Sequence, residues 1–221
     1  MLSDIDSGNN LVELFLKRAD EKGDLPFLGA KLGGAWQTTS WSAAAEQVCL
    51  LAESLRELGL KNGDRICLVA ENRPEWCIAD LAIMAAGCIT VPTYITNTER
   101  DHVHILDNSG AKAVIVSTEK LLRPLHGALQ ATGVAEHVIG IDDLHRQQSG
   151  SFAYHKWDRM LEGDASAARR AVDERIARIG RGDPVCLVYR RVSGGAPAGV
   201  MLRQGRCVRR VTTADVYMIC V

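Results

Sequence analysis

The chain has 221 residues, 47% of them hydrophobic and 24% charged, with a formal net charge of -1. That balance supports a packed core and excludes wholesale disorder, and the length admits one large domain or one and a half small ones. The lack of a basic excess argues against a nucleic-acid-binding protein.

Taken in order, Asn10 is placed to cap a first helix, with Glu13 closing a capping box and Leu11, Leu14, Phe15 and Ala19 on one face. A helix with such a stripe is a docked element and not a tail. Leu28, Ala30 and Leu32 alternate up to Gly33-Gly34, and Ala35-Trp36-Gln37-Thr38 returns, which predicts a hairpin. Thr39 or Ser40 caps a long helix bearing Val48, Leu51, Leu55 and Leu58, ended by Gly59 or by Asn62-Gly63.

From there strands and helices alternate. Ile66 to Ala70 is a continuous apolar run, as a parallel strand covered on both faces requires. Pro74 suits the first position of a helix that runs to about Ala86 and stops at Gly87. Cys88 to Pro92 is a second strand. Thr98 caps a helix with Ile105 and Leu106 inward, stopped at Gly110, and Lys112 to Ser117 is a third strand. Thr118 caps another helix, with Leu121, Leu122, Leu125 and Leu129, and His137 to Asp142 is a fourth strand. The pattern predicts an α/β fold: a parallel sheet with right-handed crossovers, helices on both faces, and ligands outside the carboxyl ends of the strands.

Gln147 to Asp164 reads as a polar, irregular surface connection. Ser166 then caps a helix with Ala168, Val172, Ile176 and Ile179, ended by Gly180, and Gly182-Asp183-Pro184 turns into a buried strand at Val185 to Tyr189. A glycine-rich loop, Ser193 to Gly199, precedes a second apolar run, Val200-Met201-Leu202. Strand, glycine loop and strand can bring backbone N–H groups close to a phosphate, although on spacing alone such a loop is more often a turn. It is not a Walker A motif, because Val200 stands where the lysine should be and no Ser or Thr follows.

The remaining constellations read plainly. His102 and His104 on a helix point to different faces, as ordinary surface histidines, and no metal site is expected. Arg203, Arg206, Arg209 and Arg210 form a basic cluster, read first as a solvated face and second as a phosphate or membrane contact. The cysteines (49, 67, 77, 88, 186, 207, 220) contain no C-x-x-C pair and read as reduced core thiols. No signal peptide or membrane-spanning stretch is visible, so a cytoplasmic protein is expected, with peripheral membrane contact open.

Three stretches carry a resemblance. Glu71-Asn72-Arg73-Pro74-Glu75-Trp76 continues through Ala79 to Gly87 and Val91-Pro92-Thr93-Tyr94; Asp107-Asn108-Ser109-Gly110-Ala111-Lys112 precedes a strand; Asp183 to Tyr189 leads into the glycine loop. Over most of residues 10–202 the chain resembles the adenylate-forming (AMP-binding) superfamily, and within it bacterial long-chain fatty acyl-CoA synthetases. The resemblance implies a partial N-terminal AMP-binding domain at residues 1–202 and a divergent tail at 203–221. It implies fatty acid, ATP with Mg2+, and CoA as substrates and cofactors. Family members join a carboxylate to ATP as an acyl-adenylate, release pyrophosphate, and pass the acyl group to the CoA thiol.

By that resemblance Ser193, Gly194, Gly195 and Gly199 belong to the phosphate-binding loop, which Tyr189, Pro197 and Val200 also match. Arg190, Arg191 and Val192 replace the family's Thr-Ser-Gly, and Ala198 replaces its basic residue. The family's adenine-binding segments, acidic Mg2+ ligand and catalytic lysine lie downstream of this loop, so no catalytic residue is assigned here. The expectation is a truncated or frame-disturbed long-chain fatty acid–CoA ligase, inactive alone. The alternative is a non-catalytic fragment that binds nucleotide, acyl chain or protein.

Overall fold

The structure, a computed structural model, describes residues 8–144, 152–190 and 197–209. The Asn10 side chain accepts from the Glu13 N–H at 2.9 Å and caps α1 (Leu11–Lys22). The Glu13 carboxylate reaches back one residue further than expected, to the N–H of Asn9. The predicted hairpin is β1 (Pro26–Leu32) and β2 (Ala35–Ser40), turned by Gly33 and Gly34 at φ of 58° and 86°, a geometry that favours glycine. Of the two candidate caps for α2 (Trp41–Glu57), Ser40 is the one used, accepting from the Ala43 N–H at 3.2 Å.

The alternating segment then follows: β3 (Arg65–Val69), α3 (Pro74–Ala85), β4 (Ile89–Pro92), α4 (Glu99–Ser109), β5 (Ala113–Val116), α5 (Glu119–Thr132) and β6 (His137–Gly140). Thr98 and Asp101 form a full capping box on α4, and Thr118 caps α5. After β7 (Ala153–Lys156), α6 (Trp157–Met160) and α7 (Ala165–Ile176) come β8 (Pro184–Arg190), β9 (Ala198–Arg203) and α8 (Gln204–Val208). The main sheet has the order β7-β6-β5-β3-β4-β8-β9, and only the β8–β9 pair is antiparallel.

From β3 the chain crosses one way to β4, then back past β3 to β5 and outward to β7, and finally returns to β8. Right-handed crossovers in opposite directions must place their helices on opposite faces. Accordingly α3 and α7, with α1 and α2, cover a first face holding Ile66, Leu68, Ile115 and Cys186. On the second face, α4 and α5 cover Cys67, Val69, Val114 and Val116. Alternate residues of β3 thus enter two different cores, which is why the strand reads as an unbroken apolar run.

Two expectations are corrected. The stretch read as an irregular connection contains β7, which pairs in parallel with β6 from Ala153 opposite His137 to Lys156 opposite Gly140, and α6, whose Trp157 and Met160 are buried. An edge strand needs no continuous apolar run, so Ala-Tyr-His-Lys gave no signal. Asp164, and not Ser166, caps α7: its carboxylate accepts from the Ser166 and Ala167 N–H groups at 2.9 and 3.0 Å. Those bonds hold its pKa below the usual value.

Candidate functional site

At the carboxyl ends of β4 and β8 the fold leaves a cleft of about 560 Å³, within the range of small-molecule sites. Thr93 and Tyr94 leave β4 along one side, Ile105 faces it from α4, and Tyr189, Arg190 and Pro197 complete it. Its position follows from topology. The connection after β4 runs back over the second face, whereas that after β8 runs outward to β9, and diverging connections open a crevice between neighbouring strands. The equivalent crevice between β3 and β5 is bridged, since the Ser117 hydroxyl donates to the Glu71 carboxylate.

The cleft is framed by a short seam. β8 meets β4 in register only at Thr90 and Cys186. Side chains from α4 hold the rest. The Tyr189 hydroxyl donates to Asn108 Oδ1 at 2.7 Å, and burial keeps the phenol pKa above its usual value. The Pro197 carbonyl accepts from His104 Nε2 at 2.8 Å, and the imidazole stands edge-on to the Tyr189 ring. One helix therefore grips both arms of the β8–β9 hairpin.

His102 and His104 do point apart, but His102 is not the surface residue its composition suggested. It is 2% exposed, and burial pushes its pKa down to about 4. Of the residues assigned to the phosphate loop, Ser193, Gly194 and Gly195 lie outside the described residues. Gly199 lies in β9 opposite Tyr189. A Cβ there would stand 3.0 Å from Leu187 Cδ1 and 3.3 Å from Tyr189 Cζ, so the glycine makes room for the β8 side chains. Among the described residues no three His, Cys, Asp or Glu side chains converge as a metal site. Nor is any helix among them long and apolar enough to cross a membrane. Burial pushes the thiols of Cys49, Cys67 and Cys88 up to about 12.

The motif residues outside the loop act as joints. Arg73 pairs with Glu75 at 2.8 Å and with Asp142, beyond β6, at 2.9 Å. Arg65 donates to the Ser109 and Gly110 carbonyls at 2.7 and 3.1 Å, closing the end of α4. Both Arg73 pairs are partly exposed, so Arg73→Ala is expected to cost about 1 kcal/mol in urea unfolding. A far larger loss would show that this loop carries core energy. The sequence gives no sign of the Tyr189–Asn108 and His104–Pro197 contacts, because each joins segments distant along the chain.

One buried acid also escaped the sequence reading. Asp80 of α3 is fully buried on the first face, and neither carboxylate oxygen has a hydrogen bond of ordinary geometry. Burial raises its pKa to about 7, and the neighbouring Thr90 hydroxyl offsets only part of that.

The AMP-binding enzyme profile matches residues 15–220. The chain belongs to the AMP-binding enzyme family. Over 211 residues, 95% of the chain, it is 29% identical to the long-chain-fatty-acid–CoA ligase FadD15 of Mycobacterium tuberculosis, of which it spans 34%. With ACSBG2 of Xenopus laevis, also a long-chain-fatty-acid–CoA ligase, it shares 25% identity over 194 residues, 86% of the chain and 25% of the relative. The chain thus spans about a third or less of these relatives' length. The fold matches the anthranilate CoA ligase AuaEII, solved with anthranoyl-AMP, at a TM-score of 0.72 over 88% of this chain and 35% of that one, with 17% identity. It also matches the A domain of a carboxylic acid reductase from Segniliparus rugosus, solved with AMP, at a TM-score of 0.71 over 92% and 37%. Within this AMP-binding fold the cleft lies where the β8–β9 glycine loop begins and ends.

Proposed function

We propose that this chain carries the N-terminal share of a long-chain fatty acid–CoA ligase and does not by itself form acyl-adenylate or acyl-CoA. The observation that carries the reading is the 29% identity over nearly the whole chain to a mycobacterial ligase of which it spans only 34%. In this reading Ser193, Gly194, Gly195 and Gly199 belong to the loop that receives the ATP phosphates, with fatty acid, CoA and Mg2+ as further participants.

The loop's chemistry supports the inactive half of the proposal. Arg190, Arg191 and Val192 stand where relatives of the resembled type carry hydroxyls and a glycine, and Ala198 stands where they carry a cation. A bulky side chain cannot reproduce a close backbone approach to phosphate, although Arg190 at the cleft rim supplies a positive charge. A cytoplasmic setting goes with this reading, since ATP and CoA are present there and thiols stay reduced.

The test incubates the purified chain with ATP, Mg2+, CoA and a long-chain fatty acid, and follows AMP and acyl-CoA. No product above the enzyme-free blank is expected, and sustained turnover would refute the inactivity. Thermal unfolding with ATP or AMP separates a second reading that the cleft favours, a nucleotide-binding protein without catalysis. A ligand bound only by the folded state raises its apparent stability. A shift without turnover would select that reading.

A further inference from the structure

At the edge of the sheet farthest from the β8–β9 hairpin, two histidines meet across adjacent strands. His137 opens β6, and His155 is the third residue of β7. The parallel register sets His137 opposite Ala153 and Ile139 opposite His155. Paired residues, and residues two apart, share a face, so both imidazoles stand on the first face, where Ile139 is buried. There His137 Nδ1 lies 3.1 Å from His155 Nε2, with the ring centroids 5.2 Å apart and the planes inclined at 49°. Both residues are half-buried, so solvent reaches the pair.

Between two neutral imidazoles this contact is a hydrogen bond, one ring giving an N–H and the other a lone pair. The same spacing suits two nitrogens bound to one ion. With bonds of about 2.0 to 2.1 Å and angles between tetragonal and tetrahedral, two ligand nitrogens stand about 2.8 to 3.4 Å apart. Either ring nitrogen can serve, and a neutral imidazole then keeps its proton on the other. His137 would bind through Nδ1 and His155 through Nε2. The charged residues beside them in sequence are engaged elsewhere, Glu136 with Lys112 at 3.1 Å and Lys156 with Asp143 at 2.8 Å. Neither lysine is therefore a bare cation set against an incoming ion.

We propose that His137 and His155 form a two-histidine site for a divalent transition-metal ion of the Cu2+, Ni2+ and Zn2+ class. Imidazole suits these ions, whereas Mg2+ and Ca2+ take oxygen ligands. Water fills the remaining positions, which the partial exposure of the pair allows. The site is thus an open one, and differs from the clusters of three or more ligands absent among the described residues. The bound ion ties β7 to β6 through side chains, in addition to the backbone ladder. β7 pairs with β6 alone, so the ion's effect on local opening concentrates in this edge strand. Since β5 and β3 lie between this pair and the cleft, the site does not depend on whether ligase chemistry survives.

The test titrates the 221-residue chain, freed of metal by a chelator, with Ni2+ at about pH 8, where an ordinary imidazole is neutral. One ion per chain should bind. At about a hundred times its dissociation constant it should raise the unfolding midpoint by about 5 to 10 °C and slow amide exchange across 153–156 at least tenfold. The ring resonances of His137 and His155 should broaden before those of His104 and His126. His137→Gln and His155→Gln should each weaken binding at least tenfold, His126→Gln should leave it unchanged, and Mg2+ should shift nothing. Circular dichroism and the metal-free midpoint check that each variant folds; where one does not, the broadening in the parent chain decides. No bound ion, binding that survives both substitutions, or broadening that begins at other residues would each overturn the proposal. No nucleotide, fatty acid or CoA enters these measurements, so their failure leaves the functional reading untouched.

Discussion

Replacing Asp80 by asparagine is expected to stabilise the protein, and to do so far more at about pH 8 than at about pH 5. The carboxyl is fully buried on α3, neither oxygen has a hydrogen bond of ordinary geometry, and the nearby Thr90 hydroxyl offsets only part of the burial penalty. Its pKa rises from 3.8 to about 7 because burial penalises the charged form. Between those values the folded chain holds a proton that the unfolded chain has released. Stability therefore falls as pH rises through this window and levels off above about 7. Asparagine has no such titration. The advantage of Asp80→Asn over the parent should widen by about 2 to 3 kcal/mol between the two pH values, at 1.36 kcal/mol per pKa unit. His102, also buried, weakens the fold as pH falls from the ordinary 6.5 to its lowered value of about 4, and does so equally in both proteins, so it cancels in the difference. Urea unfolding of both proteins at both pH values reads the result. A gap that does not change with pH would mean that Asp80 meets a partner or water that this geometry does not show.

Asp80 also illustrates what a sequence conceals. Its segment, Ala79 to Gly87, is apolar almost throughout, and a single acid in such a run can face solvent or core. Only the register of α3 on the sheet decides. The elements that were legible are those whose signals are local. Thr98 and Thr118 cap their helices through their own backbone neighbours, and Gly87 and Gly110 stop theirs in left-handed conformations. The runs in β3 and β5 are apolar on both faces because both faces are covered.

The rest depends on contacts between distant segments. β7 owes its place to β6 and not to its composition. The motifs that carried the resemblance prove to be joints of the scaffold: Arg73 ties the loop before α3 to the end of β6, and Asn108 ties α4 to β8. The cleft itself was foreseen in kind, since it lies outside the carboxyl ends of parallel strands. Its walls were not, because Tyr94, Ile105, Tyr189 and Pro197 meet only through the strand order β3-β4-β8.

Phe15→Ala is expected to cost about 3 to 5 kcal/mol, the range for removing a buried phenyl ring from a packed core. Phe15 is fully buried, with its ring centroid 5.4 Å from that of Phe27 on β1 and 5.8 Å from that of Trp41 on α2. The ring thus joins three elements, and its loss leaves a cavity between them. The consequence should travel, because the start of α1 is bonded to the far end of the chain. Asn10 Nδ2 donates to the Ile176 carbonyl at 3.0 Å, and the Leu11 N–H donates to Gln204 Oε1 at 3.1 Å, in the helix that follows β9. Amide exchange in Phe15→Ala should therefore quicken in α1, in the hairpin and around Gln204, while β3 and β5 keep their protection until global unfolding. Phe15→Leu, which retains most of the volume, should lose only about 1 to 2 kcal/mol. A cost below about 1 kcal/mol for Phe15→Ala would show that α1 is only loosely attached, and that the β8–β9 end of the sheet is held in place without it.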